Sequence, residues 1–346
     1  MKNSPLSIFP VLLLICAVLV LPQQTFGQDG PIRGWLKERA DRKQQPAPAP
    51  KANTDTESKI TQPGDYTFAI THGGLPRKYR VHVPAKYDPA TPTAALFALH
   101  GGGGDMSFQA TDQRYGLISK SEREGFVVVF PNGYSKWNSG KLATWNAGRC
   151  CGDARDKNVD DAGFIRDVVA NVTRQLNIDR HRIFATGMSN GGMMSYRLAC
   201  ELSDTFSGIA AVAGTDNTTT CQPKKPIPIL HIHAKNDDHV LFGGGAGQKA
   251  FRDLSKVTDF ASVPATVSKW VKANGCNPNP KKILQKPGAY CDLYSQCQGD
   301  VHVQLCVTDT GGHSWPGAAK TRGEPASTAI SANDVMWDFF MRTKVQ

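Results

Sequence analysis

Three stretches of the chain carry residue types that together can perform nucleophilic acyl transfer. Ser189 stands in "GMSNGG" (187–192), Asp237 in "HIHAKNDD" (231–238) and His313 in "GGHSWPG" (311–317). A serine hydroxyl is a weak nucleophile until a neighbouring base takes its proton, and the base needs an acid to fix its tautomer. Gly187-Met188-Ser189-Asn190-Gly191 is a G-x-S-x-G turn. Small residues on both sides permit the sharp strand-to-helix corner that pushes a serine hydroxyl into the open. Taken singly, each residue has a plainer reading: Ser189 as a helix cap, His313 as a turn histidine, Asp237 and Asp238 as loop solvation. A fourth piece favours the chemistry. "LHGGGGDM" (99–106) places four consecutive glycines after an apolar run. Backbone N–H groups of Gly101, Gly102, Gly103 or Gly104, with that of Asn190, would form an oxyanion hole. A phosphate loop would need a following lysine, and a dinucleotide fingerprint would need spaced rather than contiguous glycines.

The elements around these residues are legible as alternating strands and helices. "DYTFAI" and "RKYRVHVP" alternate in polarity about His72-Gly73-Gly74 and predict an opening hairpin. "ALFALH" (95–100), "GFVVVFP" (125–131), Ile183–Ala185, "SGIAAVAG", "PIPILHIH" (226–233) and "VHVQLCVTD" are apolar runs of the kind buried on both faces of a sheet. Between them, 161–176 follows helical spacing, Met193–Cys200 reads as the helix after Ser189, "ATVSKWVKANG" ends at Gly275, and "NDVMWDFFMR" closes the chain. This alternation implies a doubly wound, mostly parallel sheet in a single α/β domain without a large cap. Ligands of such sheets gather at the carboxyl ends of the strands, where Ser189, Asp237 and His313 all fall. The order Ser, Asp, His along the chain is that of α/β-hydrolases.

Before this domain the composition changes twice. Residues 1–27 carry Lys2, an apolar run from Ile8 to Leu21 and a polar, small-residue end, which reads as a secretory signal and not as a membrane anchor. Cys16 follows Ile15, where lipidation would want a small residue. Residues 28–63 are Pro/Ala-rich and charged without apolar period, a disordered linker with a short helix conceivable at 35–42. The catalytic domain is expected over 64–346, and localisation as secreted, extracellular or periplasmic. The formal charge of +10 falls to about +7 for that domain once the flanking segments are set aside. No basic cluster interleaved with aromatics is present, so nucleic acid is not an expected partner, and neither is a membrane; a monomer is expected.

Eight cysteines remain after the signal, an even number that reads as disulfides in an exported protein. A two-residue turn at Gln298-Gly299 in "AYCDLYSQCQGDVHVQLCV" would pair Ser295 with His302 and Leu293 with Gln304. It would set Cys291 against Cys306 and leave Cys297 to Cys276. Among Cys150, Cys151, Cys200 and Cys221 no pairing is favoured. His231 and His233 share a strand face and, with Asp237, have the look of metal ligands; buried core histidines are the preferred reading, and no metal or cofactor is expected. Asp160 and Asp161 stand where a helix begins and read first as caps. Asn171 and Asn217 sit in glycosylation sequons.

From Gly64 to the C-terminus the chain resembles the secreted esterase/polyhydroxybutyrate-depolymerase family, which includes feruloyl and acetylxylan esterases. The matching pieces are "LHGGGGD", "VVVFPNG", "CCG", "VDDAGFI", "GMSNGG", "HAKNDD" and "GGHSWPG". The resemblance implies Ser189 as nucleophile, Asp237 as acid and His313 as base. It departs from the family's usual "HGTxD" at His233-Ala234-Lys235-Asn236-Asp237, which keeps Asp238 as a second candidate acid. It places Trp315 on the wall of the acyl or sugar pocket, and Trp145, in "ATWNAGRCCGD", could line the cleft. The substrate it implies is an ester of plant cell-wall polysaccharide, feruloyl or acetyl xylan. A polyhydroxybutyrate or related polyester is the alternative, disfavoured because the chain ends soon after its last helix. A carbohydrate-binding protein on a hydrolase scaffold is the third reading.

Overall fold

The computed structural model describes residues 59–250, 258–319 and 324–342. The expected signal, most of the linker and the helix at 35–42 lie outside the described residues. Ten strands form one sheet: β1 (Gly64–His72), β2 (Leu75–Val83), β3 (Thr93–Leu99), β4 (Val127–Pro131), β5 (Ile178–Met188), β6 (Gly208–Val212), β7 (Ile229–Ala234), β8 (Lys281–Lys286), β9 (Ala289–Tyr294) and β10 (Val303–Thr308). Their spatial order is β1-β2-β4-β3-β5-β6-β7-β10-β9-β8. The central strands pair in parallel, from β4 through β3, β5, β6 and β7 to β10. Antiparallel strands close both edges.

The burial pattern explains this arrangement. Every residue of β3, β4, β6, β7 and β10 is buried, whereas β1 alternates half-buried with exposed residues, as an edge strand should. Successive side chains of a strand point to opposite faces, so each central strand feeds two cores. Phe97, Leu99, Val129 and Ala185 pack under α5 (Asp161–Gln175), α6 (Asn190–Glu201) and α7 (Val263–Ala273). Leu96, Ala98, Val128, Phe184 and Ile232 face the opposite layer, with α3 (Leu117–Glu124) and α8 (Ala332–Arg342). The short helices α1 (Met106–Gln109), α2 (Asp112–Tyr115) and α4 (Gly152–Asp156) belong to the connections. The result is the single-domain, mostly parallel α/β-hydrolase architecture. Among the described residues no helix is long and apolar enough to cross a membrane.

Several elements differ from the sequence reading. The strand before Ser189 is longer, Ile178–Met188, and α6 begins at Asn190 rather than Met193. Strand β8 was not foreseen: Lys281–Lys286 is a charged edge with no buried residue, so it lacks an apolar signature. β9 and β10 take the expected register, with Cys291 opposite Cys306 and Leu293 opposite Gln304. The two-residue turn does not form. Pairing stops at Tyr294 and Val303, and a single 3₁₀ turn spans Gln298–Asp300. The cause is a competing anchor: Cys297 is bonded to Cys276, and the Gln298 N–H donates to the Asn274 carbonyl at the end of α7. The remaining cysteines pair as Cys150–Cys151 and Cys200–Cys221, and Cys291–Cys306 joins the two strands.

Candidate active site

Ser189 joins β5 to α6 with φ 57° and ψ −123°, a conformation that side-chain-bearing residues rarely adopt. Its neighbours make the corner possible. A methyl group on Gly191 would lie 2.6 Å from the His100 carbonyl oxygen and closer still to that of Leu99. Only glycine lets the start of α6 approach β3 so nearly. The Ser189 N–H donates to the Val212 carbonyl at 2.8 Å, which ties the corner to β6. Among the described residues the Ser189 hydroxyl has no hydrogen-bond partner.

The glycine loop lies against this corner. A methyl group on Gly101 would sit 3.6 Å from Ser189 Cβ, and one on Gly102 would sit 3.6 Å from Asn190 Cβ. The Gly103 N–H already donates to the Ala143 carbonyl at 2.8 Å and the Gly104 N–H to Gly101 at 3.0 Å. This removes Gly103 and Gly104 from the expected donors. Among the described residues the N–H groups of Gly101 and Gly102 have no protein acceptor, and Asn190 contributes the first, unpaired N–H of α6.

Trp145 and His100 brace the loop from behind. The Asn190 side chain accepts the Trp145 N–H at 2.7 Å and donates to its carbonyl at 3.0 Å. The Trp145 indole N–H donates to the His100 carbonyl at 2.9 Å. His100 is wholly buried; its Nδ1 bonds the Gly101 carbonyl, and its Nε2 accepts the Gly133 N–H. Burial pushes its pKa down to about 4, so it is neutral at ordinary pH.

Asp237 and His313 meet at the carboxyl ends of β7 and β10. His313 Nδ1 lies 2.9 Å from Asp237 Oδ2 and 3.1 Å from Oδ1. The N–H groups of His239 and Val240 donate to Oδ1 at 2.8 and 2.9 Å. Burial works to raise the Asp237 pKa, but the His313 hydrogen bond and charge, with His233 and the His239 N–H, hold it below the usual carboxylate range. Asp237 is therefore ionised, and because a carboxylate only accepts, His313 Nδ1 carries the hydrogen of the bond between them. Asp238 faces elsewhere: His239 Nδ1 and Lys249 Nζ each approach it at 2.7 Å. Asn236 links the two loops, accepting the Gly312 N–H at 2.9 Å and donating to Glu324.

The structure thus brings Asp237 to His313 and the glycine loop to Ser189, while no hydrogen bond joins Ser189 to His313. Catalytic hydrogen bonds of this kind often tighten only once substrate is bound. The two tryptophans are placed differently from expectation. Trp145 is fully buried and Trp315 is 3 % exposed, its indole N–H held by Asn333 and its ring set edge-on to Tyr115. Neither indole faces open solvent. Asp160 caps α5 through the Gly163 N–H, and Asp161 is buried in an ion pair with Arg77. The sequon residues Asn171 and Asn217 are buried. Asp237, His239 and His313 lie close enough to share an ion, as do Cys200, Asp216 and Cys221. The first group is occupied by its own hydrogen bonds, and the second contains the Cys200–Cys221 disulfide.

Sequence reasoning missed His100, Asn236 and His239. His100 directly precedes the glycines, and its position there was the available signal. His239, stacked on His313 with ring centroids 4.5 Å apart, follows Asp238 with no pattern to mark it.

An elbow serine on a parallel sheet, with an Asp two strands away and a His three strands away, is the layout of an α/β-hydrolase. The family model described as "Putative esterase" matches residues 72–276, more than half of the chain, and the chain belongs to that esterase family. Feruloyl esterase B of Piromyces equi is 34% identical over 197 residues, 55% of this chain and 34% of that protein. The bifunctional acetylxylan esterase/xylanase XynS20E of Neocallimastix patriciarum is 27% identical over 266 residues, 77% of this chain and 33% of that protein. The chain thus spans about a third of the length of these two relatives. Feruloyl esterase C of Emericella nidulans is 28% identical over 272 residues, 77% of this chain and 84% of that protein. Among solved structures, an acetyl xylan esterase from Aspergillus awamori superposes with a TM-score of 0.54 at 13% identity, covering 80% of this chain and 99% of that one. That likeness speaks for the fold alone.

Proposed function

We propose that this chain is a secreted serine esterase that removes feruloyl or acetyl groups from plant cell-wall polysaccharide. His313 takes the Ser189 proton through Nε2, and Ser189 attacks the ester carbonyl. The oxyanion is held by the N–H groups of Asn190 and of Gly101 or Gly102. Asp237 keeps His313 in the required tautomer and stabilises the imidazolium. His313 then protonates the departing alcohol, and water cleaves the acyl-enzyme by the same route.

The observation that carries this reading is the ionised, buried Asp237 bonded to His313 Nδ1 while a serine at φ 57° stands unbonded at the end of β5 in the same sheet. The names of the relatives favour feruloyl and acetylxylan esters among carboxylic esters. With Trp145 and Trp315 buried, recognition of the acyl or sugar part falls to exposed groups. Trp137 and Leu142 are the leading ones, 54 % and 67 % exposed, on the loop whose Ala143 pairs with Gly104.

The test is a panel at equal enzyme: methyl ferulate, acetylated xylan and a polyhydroxybutyrate suspension, with labelling of Ser189 by an organophosphonate. Ferulate or acetate release with stoichiometric labelling supports the reading. Clearing of the polyester without either release would transfer the chain to polyester hydrolysis. Absence of labelling in folded protein would make it a binding protein.

A further inference from the structure

Behind Asp237 a row of side chains runs through the core from α6 to β7. Tyr196 Oη lies 2.7 Å from His231 Nδ1, and His231 Nε2 lies 3.1 Å from His233 Nδ1. His233 Nε2 lies 2.8 Å from the Val240 carbonyl oxygen and 3.3 Å from Asp237 Oδ2. All three side chains are buried, His231 and Tyr196 fully.

The proton positions follow from one end. A carbonyl only accepts, so His233 Nε2 carries a hydrogen. Burial drives the pKa of both histidines down, against the pull of Asp237, so each ring is neutral with one donor and one acceptor. His233 Nδ1 therefore accepts from His231 Nε2–H, and His231 Nδ1 accepts the Tyr196 hydroxyl proton. Every ring nitrogen is used, which leaves none free for a metal ion. The polarity runs one way, from Tyr196 to the acid. Val240 is held twice at that end: its carbonyl accepts from His233, and its N–H donates to Asp237 Oδ1.

We propose that His233, aligned by His231 and Tyr196, is a positioning residue that fixes the Asp237 carboxylate, directly across 3.3 Å and through Val240, so that it stays aimed at His313. The inference rests on the reading of Asp237 as the catalytic acid. No proton crosses the row; its bonds orient and polarise, and neighbouring hydrogen bonds strengthen one another in so dry a setting.

The test compares His233→Leu, His233→Gln and Tyr196→Phe in full-length protein, with active sites counted by organophosphonate. His233→Leu should lower kcat about tenfold with KM within about twofold. His233→Gln, whose amide can replace the Nε2–H donor, should recover most of that loss. Tyr196→Phe should lower kcat about twofold, and it carries the test if His233→Leu does not fold. In each impaired variant the downfield proton resonance of His313 Nδ1–H should move, a signal that a purely structural role would leave in place. Wild-type kcat per titrated site with an unmoved resonance in Tyr196→Phe and His233→Leu overturns the inference. Asp237→Asn is assayed beside them. Full activity there would overturn the underlying assignment of the acid, which is a separate failure from an inactive Asp237→Asn with an unaffected His233→Leu.

Discussion

On the Ser189 side of the site, geometry is set by the main chain. A left-handed serine, Gly191 at the limit of approach to the Leu99 and His100 carbonyls, and paired bonds between the Asn190 amide and the Trp145 backbone leave little freedom. On the His313 side it is set by side chains. Asp237 gathers donors from His313, His239 and Val240, and Asn236 and Glu324 tie down the histidine loop. The nucleophile side should therefore be sensitive to added atoms, and the acid–base side to lost donors and changed charge. Strain at the elbow, roughly 1–3 kcal/mol for such a conformation, persists because the packing around it over-determines the turn.

The largest expected effects come from removing the chemistry itself. Ser189→Ala should reduce kcat/KM for p-nitrophenyl acetate by several orders of magnitude in a protein that still folds, leaving only what binding and the oxyanion donors supply. Asp237→Asn should lose roughly 10⁴-fold through the wrong His313 tautomer. Asp238→Asn should lose less than about threefold, since Asp238 faces His239 and Lys249. Reversal of the two aspartate results would move the acid to Asp238.

Next in size is a steric test of the nucleophile side. Gly191→Ala would force a methyl group into the Leu99 and His100 carbonyls, so it should lower stability by about 3 kcal/mol or prevent folding. Gly102→Ala meets only ordinary contacts at Asn190 and should stay within about 1 kcal/mol of wild type. Thermal unfolding of the pair decides it; equal melting temperatures would mean that the elbow is looser than its close contacts imply.

A change of pH probes the nucleophile side through His100, which braces its glycine loop. His100 titrates near 4 when folded and near 6.5 when unfolded. The unfolded chain therefore binds more protons in that window, and stability falls as pH drops from 6.5 towards 4. His100 alone accounts for on the order of 3 kcal/mol, and His231 and His233 shift in the same direction. His100→Gln keeps an acceptor for the Gly133 N–H and should flatten the slope in urea titrations at a series of pH values. Comparing the two proteins cancels Asp161, whose burial-raised carboxyl acts with the opposite sign. Identical slopes would mean that His100 takes a proton in the native state.

What was legible in the sequence follows the strength of local signals. The buried central strands announced themselves as apolar runs, and G-x-S-x-G and the contiguous glycines mark backbone requirements that few other residues satisfy. The Cys291–Cys306 register was readable because strand pairing is periodic. The 3₁₀ turn at Gln298–Asp300 was not, since its cause is Asn274, on another element. β8 escaped because a charged edge strand buries nothing. The row from Tyr196 to His233 spans α6, β7 and the following loop, and no single stretch contains it. Trp145 and Trp315 were placed from their nearness in sequence to functional groups, which says nothing about which way an indole turns.

The smallest expected effect concerns that last point. Trp315 lies two residues after His313, yet its N–H is held by Asn333 Oδ1 at 3.0 Å, and Asn333 in turn donates to the Tyr115 carbonyl at 2.7 Å. The indole thus joins the residues after His313 to α2 and the start of α8. Trp315→Ala would be a poor probe, because emptying a buried tryptophan site is expected to cost about 3–5 kcal/mol and would blur every assay. Trp315→Phe keeps a ring against Tyr115 but loses the N–H bond and part of the buried ring volume, so stability should fall by about 2–3 kcal/mol. If the ring only supports the His313 turn, any change in kcat/KM should be the same for methyl ferulate and p-nitrophenyl acetate. A planar acyl ring stacked on the indole would gain about 0.5–1.5 kcal/mol that an acetyl group does not. A selective loss on methyl ferulate, up to about tenfold, would therefore return Trp315 to the substrate wall and require the indole to swing out of the packing that now buries it.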